Sequence, residues 1–418
     1  MNNVAVDGPS MDKVATALWK VTETLAREVT APTETPPAWD EFEWCIAQAV
    51  ASMQGISAQL GAKSRWQSPA MWQRFLENQR SHIAGRHRRI ERLLDEIDSH
   101  ARHDGIALVA LKGAALHASG IYQPGDRPMA DIDLLTRPEN VKAARCLLER
   151  CGYENTFTSW RDQLFEPRTR GRSVAFGEHV DNPIKIELHT RIRERLPVSE
   201  TDITGFLFPR VTAPGISKYQ SIASLMMHLL LHAAGNMRAR ALRMIQLHDI
   251  AKLAERFASS DWEELLAARA NGQALWWAVP PLMLTARYYA GTIPAFVFAR
   301  LRAECPWLLR KITQSQLVAD VSWSNIRVNA LPGIEWSQSP REALVFMFQR
   351  VLPNREARME LKRFSVYHSG GSEIPWYGIS QVARIFRWVF SRPPRVQTLL
   401  AVRAALSQPN DNSSDTMR

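Results

Sequence analysis

This 418-residue chain is poor in cysteine, and its four, Cys45, Cys146, Cys151 and Cys305, have neither zinc-ligand spacing nor the density of a disulfide scaffold. They read as buried or free thiols in a reducing compartment, so a cytoplasmic location is expected. Long apolar runs are also missing. The longest, residues 274–286, is shorter than a bilayer span and is interrupted by Pro280-Pro281, which argues against integral membrane association. The N-terminal residues Met1-Asn2-Asn3-Val4 do not lead from a basic stretch into an apolar one, so no secretory signal is expected. No internal repeat is visible. The 14 tryptophans are scattered, a pattern of packing rather than of base stacking.

What is present suits a globular protein. A hydrophobic content of 45% supports a true core, and the length leaves room for two or three domains. A net charge of +10 and a pI near 9.7 favour anionic partners: nucleotides, nucleic acid or an acidic membrane surface. The excess is uneven, because residues 341–418 hold 12 Lys or Arg against 6 Asp or Glu, a net of +6.

Residues 1–40 carry one weakly amphipathic stretch and the proline-rich run Ala31-Pro32-Thr33-Glu34-Thr35-Pro36-Pro37, and are expected to be a disordered segment and linker. Residues 41–100 are expected to be helical. Within them Phe75, Ile83, Ile90, Leu93, Leu94 and Ile97 recur at helical spacing. Residues 101–215 alternate short apolar runs with turns and helix-period segments, an α/β core that opens with the strand 106–111 and a helix starting near Gly113. A buried strand is expected over 129–135 after the turn chemistry of residues 123–128, then a helix over 138–150 capped at Gly152. Residues 216–340 read as a helical domain without strands, 341–406 as a basic helical region and 407–418 as a disordered tail.

The chemistry concentrates in the core. On a strand, residues two apart share a face, so Asp131 and Asp133 project together from an apolar run. Adjacent carboxylates repel unless a cation lies between them, and Mg²⁺ prefers one or two carboxylates plus phosphate oxygens. The alternating run Ile184-Lys185-Ile186-Glu187-Leu188-His189 puts Glu187 and His189 on one face, which makes Glu187 the candidate third acid. Upstream, Gly113 permits close backbone approach at a helix start that offers amide groups to phosphate, and Lys112 adds a mobile charge.

Taken together, Leu111-Lys112-Gly113, Arg127 through Leu135, Gly152-Tyr153, Glu187-Leu188-His189 and the helical segments around His232 and His248-Asp249 resemble the bacterial family of uncharacterised nucleotidyltransferases in the DNA polymerase beta superfamily. The resemblance spans roughly residues 70–260. It implies an α+β fold: a nucleotidyltransferase-like core with a small mixed sheet, flanked by an N-terminal helix and a C-terminal helical domain. It further implies Asp131, Asp133 and Glu187 as catalytic and Mg²⁺-binding residues, and Lys112, Gly113, Arg127 and His189 as nucleotide contacts. The reaction implied moves an NMP from an NTP, with ATP the expected donor, to an acceptor that is a small molecule, a peptide or RNA. His232, Arg243 and Asp249 would face the cleft. One departure stands out: Ala114 follows Gly113 where the superfamily commonly has serine, so Lys112 or Arg127 would take over that phosphate contact.

Three other readings compete. A tRNA-modifying, toxin-like transferase would use the basic C-terminal face, and a non-catalytic nucleotide-binding scaffold would explain the missing serine. His228, His232 and His248-Asp249 offer a metal-dependent phosphohydrolase pattern, although a helix-packing role suits them better. The stretch from Tyr377 to Arg395, rich in arginine and apolar residues, could bind RNA or an acidic membrane surface, but is expected to pack its apolar face on the helical domain with its arginines in water.

Overall fold

The computed structural model describes residues 9–169, 177–269, 272, 275–353 and 380–407. The chain begins with α1 (Met11–Thr30), α2 (Glu41–Gln54), α3 (Ser57–Lys63) and the long α4 (Ala70–His103). Then come β1 (Ala107–Ala110), α5 (Lys112–Ala118), β2 (Asp131–Thr136) and α6 (Val141–Arg150), which is followed by Gly152 in the left-handed conformation at φ 85°. A hairpin of β3 (Tyr153–Thr158) and β4 (Asp162–Pro167) precedes β5 (Lys185–His189). The small pair β6 (Arg193–Arg195) and β7 (Glu200–Asp202), the turn of helix α7 (Thr204–Leu207) and β8 (Gly215–Ser217) complete the core.

The sheet has six strands in the order β3-β4-β5-β2-β1-β8 and is mixed. β2 and β5 run parallel at its centre, β1 is antiparallel to β2, and the β3–β4 hairpin extends the other side. Strand alternation sorts the side chains into two environments. Ile132 and Leu134 of β2, with Ile186 and Leu188 of β5, join Ile90 and Ile97 of α4 and Leu147 and Leu148 of α6 in one apolar cluster. The opposite face carries Asp131, Asp133, Glu187 and His189, together with Leu135, which belongs to a second cluster shared with the helical half.

That helical half comprises α8 (Ile222–Ala239), α9 (Met244–Ala254), α10 (Ser259–Ala267), α11 (Val279–Tyr288), α12 (Ala295–Arg302), α13 (Trp307–Thr313), α14 (Val318–Val321) and α15 (Pro340–Val351), then two C-terminal helices, Gln381–Phe390 and Val396–Leu406. Among the described residues no helix is long and apolar enough to cross a membrane.

Three expectations need correction. Residues 11–30 are not a disordered segment: Ser10 caps α1 by accepting from the Lys13 amide, and Val14, Leu18, Val21, Leu25 and Val29 form a buried stripe. Buried polar contacts fix the helix to distant chain, with Glu23 accepting from the Tyr288 hydroxyl at 2.7 Å and from the Ala319 amide at 2.8 Å. β8 is a strand just beyond the point where strands were expected to end, too short at three residues to show alternation. The helix Gln381–Phe390 is oriented opposite to expectation, with Arg384 buried and Val382, Phe386, Val389 and Phe390 exposed. Its inward side meets α15 through polar groups, Gln381 donating to the Arg350 carbonyl at 2.7 Å and Trp388 lying under the Arg350 guanidinium at 4.7 Å. Residues 408–418 of the expected tail and residues 354–379 of the expected basic helical region lie outside the described residues.

Candidate active site

A cavity of about 450 Å³ opens between the carboxylate face of the sheet and helices α8 and α9, within the size range of small-ligand sites. Every site residue singled out from the sequence lines it: Lys112, Gly113, Arg127, Asp131, Asp133, Glu187 and His189. Strand pairing explains the convergence. In the parallel β2–β5 register Asp133 stands opposite Glu187, and both point away from the α4–α6 layer. Ligand atoms of Asp133, Glu187 and His189 lie within 4.8 Å of one another, the spacing of a metal-binding group. Asp131 shares their face and is exposed, but it is not part of that three-residue group.

Lys112 reaches this cluster because β1 ends against β2. The Leu111 amide donates to the Asp133 carbonyl at 2.9 Å, so the next residue starts beside Asp133, and Lys112 Nζ donates to Asp133 Oδ1 at 2.8 Å. Lys112 adopts a left-handed φ of 47°, an uncommon state for a lysine, held by its amide donating to the Tyr219 hydroxyl at 3.1 Å. His189 Nε2 lies 3.1 Å from the same Asp133 oxygen and 3.7 Å from Glu187 Oε2.

These contacts push the carboxyl groups apart in acidity. Burial alone would raise Asp133, but Lys112 and His189 outweigh it and hold that carboxyl well below the usual range. Glu187 moves the other way: burial, then the charges of Asp133 and Asp131, push it up to about 7. Asp131 is raised by its position in the cleft and by Asp133, against the pull of Lys112, Arg243 and Arg127. His189 is raised because its bond to Asp133 overcomes the cost of burial.

Gly113 is required by packing. A Cβ there would meet Arg127 Nη1 at 2.5 Å and Met129 Cγ at 3.0 Å. Arg127 is not a loose cation: its Nε and Nη2 bind Asp249 at 2.8 and 2.7 Å, and Asp249 also accepts from the Tyr122 hydroxyl at 2.8 Å. His232, Arg243 and Asp249 line the cavity, with Arg243 donating through Nε to the Met53 carbonyl at 2.8 Å. The histidines of the hydrolase pattern do not converge. His228 bonds the Tyr219 hydroxyl at 2.7 Å, His232 pairs with Asn236 at 3.2 Å and His248 with the Tyr289 hydroxyl at 2.9 Å.

The sequence reading missed two features. Arg86, buried on α4, donates to the carbonyls of Met129 at 2.7 Å and Ala130 at 2.6 Å, and to those of Asn182 at 2.6 Å and Pro183 at 3.0 Å. It therefore ties together the entries to both acid-bearing strands. Arg161, Arg191 and Arg193 line the other end of the cavity, and the guanidiniums of Arg161 and Arg193 lie 5.0 and 4.7 Å from the Trp160 ring centroid. The available signal for Arg86 was its place three residues after Ile83 and four before Ile90, an arginine on the apolar stripe of the helix.

A protein-family model described as an uncharacterised nucleotidyltransferase matches residues 40–290, more than half of the chain. No curated protein and no solved structure matches this sequence.

Proposed function

The chain belongs to this family of uncharacterised nucleotidyltransferases, and from that premise we propose that it moves an NMP from an NTP to an acceptor hydroxyl or phosphate, releasing pyrophosphate, in a Mg²⁺-dependent reaction with ATP as the expected donor. The observation that carries this reading is the opposition of Asp133 and Glu187 on adjacent parallel strands, beside Asp131 and inside the cavity.

The donor set suits the metal. Asp131, Asp133 and Glu187 would hold Mg²⁺ through hard oxygen donors, and the part of the rise in Glu187 that comes, after burial, from Asp133 and Asp131 is repulsion that a divalent cation would relieve. When bound, Mg²⁺ offsets negative charge on the transferring phosphate and the leaving group. The protein's own part is positioning and proton transfer. As the acceptor oxygen forms its bond to the α-phosphorus and the bond to pyrophosphate breaks, Glu187 takes the acceptor proton. Lys112, Gly113, Arg127 and His189 are the nucleotide contacts in this reading, with Arg243 added from the cavity wall.

Two observations favour a second reading. Lys112 already sits on Asp133 at 2.8 Å, and Ala114 brings no hydroxyl to the phosphate position, as suits a non-catalytic nucleotide-binding scaffold. Incubation of the protein with labelled NTPs, Mg²⁺ and cell extract separates the two. Transferase activity predicts label on a definable acceptor, small molecule, peptide or RNA, and its loss in Asp131→Asn, Asp133→Asn and Glu187→Gln. Nucleotide binding without label transfer in any extract would establish the scaffold, and absence of nucleotide binding would end both readings.

A further inference from the structure

Two helices near the C-terminus are turned inside out relative to a normal surface helix. In α15 and its cap residue Leu352, the exposed residues Leu344, Phe348, Val351 and Leu352 follow the spacing i, i+4, i+7, i+8, with Val345 exposed beside them, and in Gln381–Phe390 the exposed residues Val382, Phe386, Val389 and Phe390 follow the same spacing. Each set is therefore one continuous stripe, and both stripes face outward. Exposure reaches 76% at Phe390 and 59% at Phe386, whose rings stack at 5.6 Å, while the buried member of the second helix is Arg384 at 8%. Contacts through Arg350, Trp388 and Gln381 bring α15 and the second helix together. A patch of this kind on a water-soluble fold marks an interaction site.

The charge around it selects the partner. Residues 340–353 and 380–407, which carry both helices, hold seven arginines and one acid, Glu342, which is already engaged by the Ser199 hydroxyl at 2.8 Å. Arg387 and Arg392 are exposed next to the phenylalanines. Apolar stripes bordered by arginine and with a single acid, at the first turn of α15, match the interface of an anionic bilayer, where rings enter the acyl boundary and guanidiniums meet phosphate headgroups. Nucleic acid fits less well, because its phosphates would meet the arginines only by leaving eight apolar side chains in water. We propose that α15 and the helix Gln381–Phe390 form a peripheral docking surface for an anionic membrane. The chain would lie on the bilayer without crossing it. The surface is separate from the cavity, so the inference does not depend on the transferase reading.

The test is co-sedimentation of the full chain with vesicles of phosphatidylcholine alone and of phosphatidylcholine mixed with phosphatidylglycerol, alongside light scattering for oligomeric state. The expected result is capture by the mixed vesicles and little by the neutral ones, weakened near 1 M salt, where the Debye length falls to about 3 Å. The double variant Phe386→Asp/Phe390→Asp should bind mixed vesicles at least about tenfold more weakly, the loss expected from removing large apolar contacts. Arg387→Glu/Arg392→Glu should lose the preference for phosphatidylglycerol. Both variants change exposed positions, and unaltered circular dichroism would show that the fold is kept. Failure to bind mixed vesicles, equal capture by neutral vesicles, a dimer that the phenylalanine variant dissociates, or RNA binding that it abolishes would each overturn the proposal.

Discussion

Replacing Asp249 by Asn probes the best-defined buried ion pair in the structure. Asp249 is 2% exposed and accepts three hydrogen bonds, two from the Arg127 guanidinium and one from the Tyr122 hydroxyl. Asn keeps the shape and loses the charge, which leaves Arg127, with a side chain 11% exposed, as a buried cation without its counter-ion. Breaking a buried pair on one side costs about 3–5 kcal/mol, several times the worth of an exposed pair. Removing both charges is different. Arg127→Met/Asp249→Leu exchanges the pair for apolar volume and leaves chiefly the Tyr122 hydroxyl without an acceptor, a loss of about 1–3 kcal/mol. The double variant should therefore be more stable than either Asp249→Asn or Arg127→Met. Urea unfolding followed by tryptophan fluorescence and circular dichroism measures all four proteins. A single-variant loss below about 1 kcal/mol would place the pair in the exposed class, and a double variant no more stable than either single variant would refute the reasoning.

Two further outcomes follow from the cleft. Gly113→Ala puts a Cβ 2.5 Å from Arg127 Nη1, and because Asp249 pins Arg127 the clash cannot relax freely; a loss of about 1–3 kcal/mol with weaker NTP binding is expected, measured by thermal unfolding and nucleotide titration, and full wild-type behaviour would refute it. Glu187 has its folded value raised from 4.5 to about 7, so between those limits the folded state keeps a proton that the unfolded chain releases, and stability falls as pH rises from about 4.5 through about 7. The difference in stability between wild type and Glu187→Gln should change across that window, and a difference independent of pH would show that Glu187 is not raised.

The legible parts of this site were those written in local alternation. Asp131 and Asp133 stood out because Ile132, Leu134 and Leu135 around them are apolar, and Glu187 and His189 because they alternate with Ile186 and Leu188. What those groups touch was not local. Lys112 binds Asp133 through the pairing of β1 with β2, and Arg127 meets Asp249 across 122 residues, so neither partner is marked by spacing. The same limit explains α1. Its stripe of Val14, Leu18, Val21, Leu25 and Val29 is in the sequence, but the groups that bury it and anchor Glu23 arrive from Tyr288 and Ala319. The helix Gln381–Phe390 shows the reverse failure, since its periodicity was plain while periodicity alone does not say which side faces protein.

The basic composition also carries less meaning in the cleft than the net charge of +10 suggests. Six cations line the cavity, Lys112, Arg127, Arg161, Arg191, Arg193 and Arg243, but so do six acids, Asp131, Asp133, Asp162, Glu187, Glu194 and Asp249. Several of the cations are already committed: Lys112 to Asp133, Arg127 to Asp249 and Arg161 to Glu194. Arg86 behind them binds backbone carbonyls, fixing where β2 and β5 begin rather than presenting charge to a ligand. A bare triphosphate entering this cavity would meet a nearly balanced field, with the carboxylates clustered where the proposed reaction would put the α-phosphate. A triphosphate carrying a divalent cation is the better electrostatic match, because its cation answers the carboxylates and its remaining charge answers the arginines. On the proposed function, the cleft therefore suits a metal–nucleotide complex better than a bare nucleotide, while residues 341–418 carry +6 of the net +10.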